Sequence, residues 1–188
     1  MFNLSARFQY TVNQALTASS ILGGLVVLVT LIQLYRDNVW SINTTVIDNI
    51  KSSGSMRTSY NYGSVNRQPK ENTKLNFDLQ ADLTPLFNWN TKQVFVYLTA
   101  EYPGKSPGSS NKVTYWDRII TKKEDAILKL SNVKSKYSVW DVEKSFRQRD
   151  AIVKLEWNIQ PWIGPLIFGE TDAATAFKFP KLEAKKRN

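Results

Sequence analysis

The sequence predicts an all-β protein: an antiparallel β-sandwich preceded by a single N-terminal transmembrane α-helix. Three observations carry that reading. An uncharged apolar run lies near the N-terminus, several later segments alternate apolar and polar side chains with period two, and turn formers rather than long amphipathic helical patterns separate those segments. The 188 residues leave room for one short span and one domain large enough to bury a core.

The first element is the run from Ala18 to Tyr35, dominated by Ile21, Leu22, Leu25 to Val29, Leu31, Ile32 and Leu34. At about 1.5 Å per residue this run matches a hydrocarbon core. Tyr35 and Trp40 suit one interface, Phe8 and Tyr10 the other. Gln33 to Asp37 offer no small-x-small cleavage site, which favours an uncleaved signal anchor over a removed signal peptide. We divide the chain into a cytosolic arm (1–16), the anchor (17–36), a connector with room for an initial strand (37–73), the sandwich (74–182) and a basic tail (183–188). Arg7 and the α-amino group balance Arg36, so flanking charge favours neither orientation; a short arm before a large C-terminal domain suits a cytosolic N-terminus. Within the span, Ser19 and Gly23, like Ser20 and Gly24, are four apart and form a small-residue face on which another helix could pack.

Past the connector, Leu75, Phe77 and Leu79 alternate with Asn76, Asp78 and Gln80, as on a strand with one face buried. Val153, Leu155, Trp157 and Ile159 repeat the pattern. Val94 to Ala100 is apolar or aromatic at nearly every position and predicts a central strand, and Val113 to Ile120 is rich in β-branched and aromatic residues. Ile127 to Leu130, Tyr137 to Val142, Leu166 to Phe168 and Ala176 to Phe179 are shorter candidates. Pro103 to Ser109 supplies a turn between two strands. Trp116, Trp140 and Trp157 fall inside strand patterns and are expected in the core, whereas Trp89 and Trp162 fall in loops and could anchor a partner.

Cysteine and histidine are absent. Their absence excludes disulfides, Cys/His metal sites and Ser/His/Asp catalysis by this chain alone. Carboxylates at Asp78, Asp82, Glu101, Asp117, Asp141 and Glu143 mark no specific acid/base pair, and no serine sits in a nucleophile setting. No cofactor or metal is expected. The formal charge of +9 is scattered and accompanies no nucleic-acid motif; Lys185, Lys186 and Arg187 form the one cluster. A membrane-anchored hydrolase or carbohydrate-binding module is the reading from another class.

The segment from Ala81 to Tyr102, with Trp89-Asn90, Lys92-Gln93 and Ala100-Glu101-Tyr102, resembles subunit 3 of the eukaryotic signal peptidase complex, and most closely its fungal form. The likeness continues through Trp116-Asp117, Lys136-Tyr137, Trp157-Asn158 and Phe179-Pro180. It implies a non-catalytic type II subunit of the endoplasmic reticulum membrane, whose lumenal sandwich holds the catalytic subunit beside other small membrane subunits. The peptidase residues then belong to that other chain. Family members often carry a glycosylation sequon where this chain has Asp150-Ala151-Ile152. The loop of Pro85, Phe87 and Trp89, with Trp162, is the candidate docking surface.

Overall fold

The computed structural model describes residues 3–58, 69–141, 145–146 and 148–181. The described residues form one long helix and two four-stranded sheets, antiparallel at every pairing. Helix α1 (Leu4–Arg36) begins well before the apolar run, with Asn3 capping the Ser5 N–H. It ends where Asn38 adopts φ 51°, with Asn38 N–H donating to the Tyr35 carbonyl and Val39 N–H to the Leu34 carbonyl. That is a Schellman turn, and its accompanying apolar contact is the fully buried pair Leu34 and Val39. The turn points the chain from the span into the sandwich without a flexible linker.

The first sheet holds β1 (Val46–Arg57), β2 (Lys70–Asp82) and β5 (Ile127–Lys134) in that order, with the short β6 (Val139–Trp140) also pairing β2. The second has the order β4 (Ser110–Ile120), β3 (Thr91–Pro103), β7 (Asp150–Pro161) and β8 (Ile167–Lys178). The segment from Val94 to Ala100 is central, as its composition predicts, because both neighbours in the sheet cover it. Leu75, Phe77, Leu79 and Ala81 of the first sheet meet Val94, Val96, Leu98, Ala100, Val153, Leu155, Trp157 and Ile159 of the second in one buried core. Of the tryptophans expected inside, Trp157 is fully enclosed, Trp116 packs edge-on to Phe77, and Trp140 is half-buried.

The connector contains a full strand: β1 pairs with β2 over almost its whole length although its side chains are mostly polar. As an edge strand it needs few apolar residues of its own. Leu166 to Phe168 and Ala176 to Phe179 are not two strands; Ile167 to Phe177 belong to the single strand β8, whose small and polar middle hides its continuity. Of the candidate from Tyr137 to Val142 only Val139 and Trp140 are strand, and Val142 lies outside the described residues. The basic tail and Glu143 lie outside them too.

Two irregularities flank β2, and Asp78 serves both. Asn49 and Asn132 take φ 52° and 50° where the β1 and β5 registers shift, and the Asp78 carboxylate accepts from the Asn132 N–H and the Asn49 amide. Asparagine tolerates the left-handed region, and here both bulges are clasped by one carboxylate. The Asn132 backbone bond first, then the Asn49 amide, holds that carboxyl below its ordinary value.

On the outer face of the second sheet, Glu156 accepts from Thr99 Oγ1 and pairs with Lys112 Nζ, each at 2.6 Å. Burial alone would raise the Glu156 carboxyl, but the bonds from Lys112 and Thr99 outweigh it and hold it below its ordinary 4.5. A carboxyl lowered on folding stabilises fully above the ordinary value and loses that contribution as pH falls through the folded value. Glu156→Gln should therefore lower stability by about 1 kcal/mol at pH 7, a modest amount because Lys112 is half exposed. Thermal melts should show the difference from wild type shrinking as the pH is lowered below the ordinary carboxyl value; a deficit that stays constant on acidification would place the effect elsewhere.

Candidate functional site

Four connections gather at one end of the sandwich, beside the C-terminal half of α1: residues 37–45, 83–90, 121–126 and 162–166. The expected docking residues all lie in two of these. Pro85 is exposed in the 3-10 turn Thr84–Leu86, Phe87 is half-buried against the core, and Trp89 is 56% exposed. Trp162, 67% exposed, stands on the neighbouring connection with Lys92 Nζ 5.4 Å from its ring centre. The chain therefore brings the Trp89 loop and the Trp162 loop together, although more than 70 positions separate them in sequence.

Asn90 holds them. Its Nδ2 donates to Thr30 Oγ1 (3.0 Å) and to the Ile163 carbonyl (2.9 Å), its Oδ1 accepts from the Ile163 N–H (3.1 Å), and its own carbonyl accepts from the Trp162 N–H (2.8 Å). Asn90 and Thr30 are both buried. A short polar side chain with two donors and one acceptor satisfies both loops and the helix at once. Asn88 prepares it, its Oδ1 accepting from the Asn90 N–H at 2.9 Å.

The helix face that meets the sandwich runs through Gly23, Val27, Thr30 and Leu34, spaced three and four apart. A Cβ on Gly164, which sits at φ 127°, would come within 3.0 Å of Val27 Cγ2. Glycine is therefore needed there both for its backbone angle and for the close approach. Of the small residues proposed as a helix-packing face, Gly23 has Ile163 Cγ2 of its own chain 3.9 Å from where a Cβ would stand, Gly24 faces open space, and Ser20 bonds back to the Leu16 carbonyl. Ser19 is exposed.

Four of the candidate carboxylates are occupied structurally: besides the Asp78 clasp, Asp82 caps the Thr84 N–H, Asp117 pairs with Lys136 at 3.0 Å, and Asp141 accepts from the Tyr102 hydroxyl at 3.0 Å. Burial first, then the Asp141 charge, pushes the Tyr102 hydroxyl well above the usual tyrosine range. Among the described residues no group of three His, Cys, Asp or Glu converges as a metal site. Asn90, Thr30 and Gly164 escaped the reading of single residues. The signals that were available are the Trp89-Asn90 pair and the Gly164-Pro165 turn.

Fold and junction define a single-span membrane protein, a β-sandwich fastened to its own anchor. The chain belongs to the signal peptidase subunit family, whose model matches residues 1–182. It is 67% identical over 187 residues to "Signal peptidase complex subunit 3" of Debaryomyces hansenii, covering 100% of this chain and 98% of that protein. Proteins of the same name are 50% identical over 178 residues in Yarrowia lipolytica (94% and 96% covered) and 46% identical over 172 residues in Saccharomyces cerevisiae (91% and 92% covered).

Proposed function

We propose that this chain is a non-catalytic accessory subunit of the signal peptidase complex in the endoplasmic reticulum membrane, a scaffold that holds and stabilises the catalytic subunit removing signal peptides. The observation that carries the reading is the family match along a span and sandwich joined as one unit. A stiff anchor-to-domain junction suits a part that must keep a partner's active site at a set height above the bilayer. The sandwich is lumenal and the N-terminus cytosolic, as a type II signal anchor. Protease treatment of sealed microsomes should leave the sandwich intact until detergent is added; its digestion without detergent overturns that orientation.

The docking surface is the loop of Pro85, Phe87 and Trp89, where an exposed proline and an exposed indole sit on a rigid turn. Trp89→Ala should reduce co-recovery of the catalytic subunit from detergent extracts about tenfold, equivalent to about 1.4 kcal/mol. The double variant with Phe87→Ala should lose more. An active complex recovered at wild-type yield from both variants refutes this surface. Catalysis or glycan binding by the purified chain alone refutes the accessory role.

A further inference from the structure

The helix supplies a depth scale for everything packed against it. At about 1.5 Å per residue, Thr30, Val27 and Gly23 lie about 9, 14 and 20 Å along the axis from Arg36 towards the other leaflet. The connection between β7 and β8 touches all three: Asn90 ties Ile163 to Thr30, Gly164 abuts Val27, and Ile163 reaches Gly23. A hydrocarbon core of about 30 Å takes up the whole apolar run from Ala18 to Tyr35. Sliding the helix out so that Thr30 stood at the surface would draw Asn13 and Gln14 into hydrocarbon and put exposed Leu31 and Ile32 in water. At the level of this connection, the other side of the helix presents exposed Leu25, Leu28 and Val29, as a lipid-facing surface does.

The connection has the chemistry for that depth. From Pro161 to Phe168 no side chain carries a charge, and only the Trp162 indole can hydrogen-bond. Trp162, Ile163, Leu166 and Phe168 are nonetheless exposed. Pro161 and Pro165 have no N–H to satisfy, and Asn90 accepts the Trp162 and Ile163 N–H groups and donates to the Ile163 carbonyl. Irregular backbone survives at membrane depth only when its polar groups are satisfied within the protein. Lys92, its ammonium against the Trp162 ring, is placed to reach back to the headgroups.

We propose that the β7–β8 tip of the sandwich is a membrane wedge, with Trp162, Ile163 and Leu166 immersed among the acyl chains of the leaflet on the sandwich's side. The domain thus enters the bilayer beside its anchor and displaces lipid there. Trp162 belongs to this lipid-facing surface, apart from the Pro85, Phe87 and Trp89 loop.

Because the chain has no cysteine, Leu166→Cys, Trp162→Cys, Leu28→Cys and Ser106→Cys each give one labelling site in the full chain. Leu28 lies in the span, and Ser106 lies on the exposed loop at the far end of the sandwich. Nitroxides at these positions, in the purified complex reconstituted in phosphatidylcholine vesicles, are tested for collision with oxygen, which partitions into acyl chains, and with a water-soluble nickel chelate. Oxygen collisions should exceed nickel collisions at Leu166 and Trp162, as at Leu28, and fall below them at Ser106. Nickel access at Leu166 and Trp162 equal to that at Ser106 puts the tip in water and overturns the wedge. Labels shielded from both reagents mean another protein covers the tip, which overturns it equally.

Discussion

Gly169→Ala should destabilise the sandwich by about 3 kcal/mol, at the upper end of what overpacking a core costs. Gly169 of β8 faces Trp157 of β7 in register, and the indole lies directly over the glycine. A methyl at Gly169 would overlap Trp157 Cζ2 and come within 2.6 Å of Cη2 and 2.7 Å of Cε2. The ring has nowhere to go, because it is fully buried and packs at 6.5 Å against Trp40, whose own Nε1 donates to the Phe168 carbonyl. The strain would fall on the strand that leads out of the β7–β8 tip and on Trp40 just past the helix. Melting of the purified chain should drop by about 10 °C for a protein of this size. Trp157→Leu alone should also destabilise, by leaving a cavity. Combined with Gly169→Ala, the smaller side chain makes room for the methyl, so the double variant should lose clearly less than the two losses added together. Strict additivity would show that the two residues do not share one space.

The fold and the junction were unequally legible, for a physical reason. A strand with one wet face writes its partner into its own sequence, so Leu75, Phe77 and Leu79, or Val153 to Ile159, could be read from alternation alone. Edge strands carry weaker marks. β1 is built from polar residues around Asn49, and β8 has Gly169, Thr171 and Ala174 in its middle, so one read as connector and the other as two fragments. The anchor was legible because lipid demands an uninterrupted apolar run. Nothing local revealed that this anchor packs on the sandwich. Thr30, Asn90 and Ile163 are each ordinary in their own windows, and only the fold brings them within hydrogen-bond distance. Trp89 and Trp162 stood out as aromatic residues in loops, yet their shared position depends on the same contacts.

Asn90→Leu should uncouple the sandwich from its anchor. The change keeps the side chain's bulk but removes two donors and an acceptor, leaving the Ile163 N–H and carbonyl without their partner. Each buried group so stranded costs about 1–3 kcal/mol, so a loss of about 3–4 kcal/mol is expected at this one position. Thr30→Val tests the helix end of the network more gently. Its hydroxyl also donates to the Val26 carbonyl, which already takes part in the helix, so the loss should be about 1 kcal/mol. The effects should be local before they are global. Asn90 is not one of the apolar residues that form the core between the sheets, whereas the Ile163 N–H depends on its side chain; the Trp162 N–H bonds to the Asn90 backbone carbonyl, which leucine keeps. Hydrogen exchange in the reconstituted complex should therefore quicken at Ile163 in Asn90→Leu, while β2 and β3 stay protected. Uniform acceleration across both sheets would mean that Asn90 supports the fold as a whole. Unchanged exchange at Ile163 would show that the helix and sandwich hold together without it.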